Sequence, residues 1–148
     1  MNSLFDVAPY LSAYRISILV LPALALVTLV QNFLAAPLAF VNNEQTPGMP
    51  LRHDHSRLSF RALRTYANST ETFPAFGWAL FAAIVAGASP QLVNGLAGLY
   101  LLFRMLFWGI YYSGIGKVAG GARTLSHVGG LLSNIFLAGL AIHALLTG

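Results

Sequence analysis

Between Ile16 and Phe40 the chain runs for 25 residues without an ionisable side chain. A bilayer core takes roughly 20 apolar residues per helix. Three more apolar stretches follow: Ser59 to Ala86, Pro90 to Tyr112 and Leu125 to Leu146. Only 8% of residues are charged, against about 25% in a soluble domain. Such a chain cannot cover a water-facing surface. The expectation is an all-α integral membrane protein, a four-transmembrane-helix bundle in one domain over 1–148, with helices at about 14–40, 59–86, 90–112 and 123–146.

The remaining composition excludes several classes. Cysteine is absent, so there is neither a disulfide framework nor a thiolate metal site. The net charge of +4 comes from scattered residues, which suits anionic lipid or an anionic ligand rather than nucleic acid. "MNSLFDVAPY" carries Asp6 and lacks a basic start, unlike a secretory signal.

Loop charges predict the topology. Arg52 and Arg57 lie in the loop after the first span, and Lys117 and Arg123 in the loop before the fourth. The positive-inside rule puts both loops in the cytoplasm and both termini on the non-cytoplasmic side.

One stretch resists the bland description of a greasy bundle. In "RALRTYANSTETFPAF", Arg61, Arg64, Asn68 and Glu71 are spaced three, four and three apart. At about 100° per residue they share one stripe of a helix. Glu71 lies about 15 Å further along the helix than Arg61, where an ion usually faces a bundle interior and marks function. Arg104 interrupts the third apolar run, with Phe107 and Tyr111 on the same face. An Arg104–Glu71 ion pair, bridged through Asn68, is expected. Hydroxyls of Ser69, Thr70 or Thr72 are expected to serve the Thr70 carbonyl that Pro74 frees.

With these residues the chain resembles the MAPEG superfamily, the membrane-associated proteins in eicosanoid and glutathione metabolism. The family's second helix carries Arg-x-x-Arg-x-x-x-Asn-x-x-Glu, present here as Arg61, Arg64, Asn68 and Glu71, and the "TFPAF" that follows looks like the leukotriene C synthase branch. Arg104 with its aromatics and Arg123 at the fourth helix match further family positions. Thr72, Phe107, Thr124 and His127 stand where branches of the family carry other residues.

The resemblance implies a homotrimer with glutathione as co-substrate, bound between subunits near the cytoplasmic face. By it, Arg61, Arg64, Asn68 and Glu71 hold the glutathione carboxylates and amine, and Arg104 and Tyr111 line the same cleft. Arg123 is the catalytic residue pointing at the thiol. A cation beside a thiol favours thiolate, the nucleophilic form, and arginine recognises carboxylates bidentately. The expected activity is a glutathione transferase or peroxidase acting on a hydrophobic small molecule or lipid. The alternatives are a non-catalytic lipid-binding or scaffold member of the same fold, and a small transporter or channel.

The other candidates carry less. His53 and His55 flank Asp54 in H-x-H spacing, but a loop of solvated charges reads as a polar interface patch, and no metal site is expected. His127 is either a proton shuttle near the thiol or a polar helix-end residue. Gly129, Gly130 and Gly139 are small residues that permit close helix contact. "GKVAGGAR" lacks the spacing of a phosphate loop.

Overall fold

The computed structural model describes residues 4–41, 54–116 and 120–148. Arg52, His53 and Lys117 lie outside the described residues. A short helix α1 (Leu4–Val7) and a 3₁₀ helix (Pro9–Tyr14) lead into four long helices: α2 (Arg15–Val41), α3 (Leu58–Val85), α4 (Pro90–Ser113) and α5 (Gly121–Thr147). The long helices end within two residues of the expected bounds.

Among the described residues, three segments are long and apolar enough to cross a membrane: Pro9–Leu38, Pro90–Ser113 and Gly121–Thr147. Helix α3 is as long as these, at 28 residues. Arg61, Arg64, Asn68 and Glu71 keep its first half from matching them in hydropathy. The outward faces explain the solvent. Leu19, Leu26, Phe33, Leu92, Leu102, Leu132, Ile135 and Phe136 are exposed on the protomer, and such a surface is stable only against lipid or another apolar face.

Helix α4 packs on α3 and α5, and α2 packs on α3 and α4. The inward face of α4 shows why. Val93, Ala97, Tyr100, Arg104, Phe107 and Tyr111 are buried at alternating spacings of four and three, the period of a helix stripe that meets its neighbours. Helix α5 answers with small residues, burying Ser126, Gly130 and Ser133. A Cβ on Gly129 would stand 2.5 Å from the Phe103 ring, so α4 and α5 approach closely there. Gly139 does not share that role. Nothing lies within 4 Å of where its Cβ would be, because it faces an apolar groove of about 590 Å³ edged by Leu92, Leu96, Phe136 and His143.

Polar pairs fix the register at the end of the bundle holding the N-terminal turn. Asn94 Oδ1 accepts from the Ser17 backbone N–H at 3.0 Å and the Ser17 hydroxyl at 2.6 Å. Its amide donates to the Ala13 carbonyl at 2.7 Å, and the Tyr14 hydroxyl donates to the Ala88 carbonyl at 2.5 Å. Helices α2 and α4 run parallel, and this contact pins them together at one end.

Pro22, Pro37 and Pro74 all sit within continuous helix. Around Pro74 the hydroxyls act differently from the expectation. The Thr70 hydroxyl donates to the Ala67 carbonyl at 2.8 Å and that of Thr72 to the Asn68 carbonyl at 2.9 Å. Each returns to its own preceding turn, the geometry open to a helical Thr side chain, and neither serves the Thr70 carbonyl.

Candidate functional site

The first half of α3, the second half of α4 and the start of α5 converge at the opposite end of the bundle. Helix α3 presents two faces there. Ala62, Thr65 and Ser69 point into the core. The stripe of Arg61, Arg64, Asn68 and Glu71 lies about 110° round from that face. The first three are half-buried and Glu71 is exposed on the protomer. The stripe is therefore a flank of the bundle, adjacent to α4 rather than under it.

The expected Arg104–Glu71 ion pair does not form. Arg104 is only 6% exposed. Its guanidinium donates to Asn68 Oδ1 at 2.5 Å and to the Ser69 hydroxyl at 2.9 Å. Ser69 faces inward, and Glu71, two residues on, is turned about 200° from it. Arg104 reaches Asn68 on the stripe and Ser69 on the inward face, and makes no ion pair with Glu71. Its Cζ also lies 5.1 Å from the Phe107 ring centre. One turn towards the middle of α4, the Tyr100 hydroxyl donates to Thr72 Oγ1 at 3.0 Å, and its ring stacks flat on Phe76 with centres 4.1 Å apart. These contacts lock α3 to α4 and hold Arg104 at a fixed depth.

Arg123, 7% exposed, enters from the start of α5. Its Cζ lies 4.2 Å from the centre of the Tyr111 ring, a cation–π contact. Beside it the foot of α4 bounds a cavity of about 180 Å³, walled by Ile110, Ser113, Ile115 and Arg123. His127 follows Arg123 by one turn, its ring 5.6 Å from that of Phe107. Its Nδ1 is buried without a hydrogen-bond partner.

Arg61 stands apart from this group. Its Nη1 donates to the carbonyls of His55 at 2.9 Å and Ser56 at 2.7 Å, and Nη2 to that of Tyr112 at 3.4 Å. It bridges the turn before α3 and the end of α4. That end is capped by Gly114 in the left-handed region at φ 69°, where a Cβ would stand 3.1 Å from Arg61 Cζ. Among the described residues no hydrogen bond or ion pair engages the Arg64 or Glu71 side chains, so both remain available on the flank.

Four members of the site escape a reading of the sequence alone. Ser69, Thr72 and Tyr100 are ordinary residues in a helix, and their contacts depend on how α3 and α4 face each other. His55 belongs to the motif read as a surface patch, yet its Nδ1 lies 3.4 Å from the Tyr111 hydroxyl.

The MAPEG family model matches residues 10–143. The chain belongs to the MAPEG family. It is thus an integral membrane protein of a family named for eicosanoid and glutathione metabolism. The match takes in all four long helices almost completely and every residue of the site. No curated protein matches this MAPEG chain.

Proposed function

We propose that this MAPEG protein is a glutathione-dependent membrane transferase or peroxidase acting on hydrophobic electrophiles. One observation carries the proposal: Arg104 is buried, and its hydrogen bonds go to neutral partners, Asn68 and Ser69. Among the described residues no carboxylate lies within ion-pair distance of it. A buried cation is costly unless compensated, and an anionic ligand compensates it. With Arg123 and Arg64 at the same end, the site suits a small ligand bearing carboxylates.

In this reading Arg64, Asn68 and Glu71 hold the polar ends of glutathione from the flank, Glu71 taking its amine. Arg104 and Tyr111 line the cleft, and Arg61 maintains the loop and helix ends around it. Arg123 faces the sulfur and lowers the cost of the thiolate, which then attacks the electrophile. Because the stripe lies on a flank, a neighbouring subunit completes the cleft, in a homotrimer. All four long helices span the bilayer, with the site at the cytoplasmic face and both termini outside. The electrophile arrives through the lipid-facing sides of the helices.

The test is glutathione binding by the purified protein in mild detergent, read by calorimetry, with turnover of a generic aromatic electrophile. Saturable binding, a thiolate absorbance near the ultraviolet edge and conjugate formation support the proposal. Binding of lipid without any of the three assigns the chain to non-catalytic lipid binding instead.

A further inference from the structure

In the sequence His55 reads as part of a solvated loop patch. In the structure it makes defined contacts with the site. Its backbone carbonyl accepts from Arg61 Nη1 at 2.9 Å. Its ring meets Phe60 edge-on, with centres 4.8 Å apart. Its Nδ1 lies 3.4 Å from the Tyr111 hydroxyl, across 56 residues of chain. Tyr111 in turn carries Arg123 over its ring at 4.2 Å. A continuous chain of contact thus runs from the turn before α3, through the end of α4, to the start of α5.

We propose that His55 is a positioning residue that sets the Tyr111 ring under Arg123, and that its protonation loosens this arrangement. The inference rests on the functional reading only in what the positioned arginine does. The chemistry is local. A neutral imidazole shares one hydrogen bond with the phenol, as acceptor or donor according to tautomer. An imidazolium must donate, drawing electron density from the phenol oxygen, and so weakens the ring's attraction for a cation. It also adds a positive charge beside two existing ones. Among the described residues, the charged and titratable groups around His55 are Arg61 on α3, Tyr111 on α4, Arg123 beyond that ring on α5, and in the turn Asp54 with Arg57, whose Nε lies 3.5 Å from the Asp54 carboxylate. Asp54 does not blur the effect. The Ser56 hydroxyl and then the Ser56 backbone N–H hold its carboxyl below the ordinary carboxylate value. It therefore stays ionised across the range in which a histidine changes charge.

The experiment labels the histidine rings of the full chain in detergent micelles and follows them by NMR from pH 5 to 8. His55→Asn assigns the His55 signal. Tyr111→Phe is expected to move the His55 midpoint by about half a pH unit, the worth of one ordinary hydrogen bond. An unmoved midpoint overturns the contact. In parallel, glutathione affinity is measured over the same range. Asn offers Oδ1 close to where Nδ1 sits and does not titrate. His55→Asn should therefore keep the affinity of wild type at pH 8 and flatten its fall of about threefold or more towards pH 5. His55→Phe, which keeps the ring packing on Phe60, should show the lowered affinity at every pH. Identical profiles for all three overturn the positioning role. A wild type that binds no glutathione at any pH defeats the functional reading, and the NMR midpoint still decides whether His55 holds Tyr111.

Discussion

At the scale of single residues, the site divides its arginines by partner. Arg61 is spent on three carbonyls, Arg104 on two neutral side chains, and Arg123 on an aromatic face. These partners differ in what their loss does. Asn68→Leu removes a neutral acceptor from a buried guanidinium, and a hydrogen bond to a charged group is worth about 1.5–3 kcal/mol. The variant should melt several degrees lower in a detergent thermal scan. Glu71→Gln should behave differently, because Glu71 is exposed and makes no ion pair with Arg104. Its melting point should stay near wild type while glutathione affinity falls, as calorimetry would show. Arg123→Ala should keep glutathione bound with only a few-fold loss of affinity, yet lose the thiolate absorbance and at least about tenfold in turnover, the effect of one pK unit on thiolate fraction. A full thiolate signal in that variant would shift the role to His127, whose unpartnered Nδ1 lies one turn away. The stripe and Arg104 were legible in the sequence because charge is conspicuous in an apolar run. The direction of Arg104 was not, since attraction between opposite charges outranks neutral partners until the faces of α3 are known.

At the scale of elements, the four long helices were legible nearly to the residue, since apolar runs in this chain are ended by charge, proline or glycine. The 3₁₀ helix at Pro9–Tyr14 was not, for its place depends on Tyr14 and Asn94 meeting across the fold. Gly139 shows the same limit: a small residue promises close approach, and only the neighbour's shape decides whether anything approaches. Gly114 is the element-scale counterpart of Arg61. An alanine there would pay for a left-handed backbone, about 1 kcal/mol, and would crowd a guanidinium at 3.1 Å. Gly114→Ala should therefore lower the melting point and raise proteolysis in the segment before α3. Gly116→Ala, with nothing within 4 Å although φ is 93°, should bring the backbone cost without the second effect. Equal proteolysis in the two variants would remove Arg61 from the account of that turn.

At the scale of the whole molecule, three segments among the described residues are long and apolar enough to cross a membrane, and α3 is not among them. Its polar flank is uncovered in the single chain, so the proposed function needs a neighbouring subunit to complete the site. Mass measurement in mild detergent should find a trimer, and a stable monomer would leave the stripe as architecture alone. Orientation is tested by cysteines introduced one at a time into a chain that has none. Those at Gln45 and Gly116 should resist an impermeant outside reagent, and one at Ser3 should react.

The pairing of Ser17 with Asn94 has a consequence for how the protein is made. Helix α2 leaves the ribosome first, and its partner residue follows 77 positions later. At about 5–20 residues per second, roughly 4–15 s pass before Asn94 exists. During that interval Ser17 lacks the Asn94 partner it has in the finished fold. The parallel helices cannot zip as a hairpin, since α3 must first turn back between them. The polar contact that joins the first and third long helices is therefore made late, once both have been synthesised.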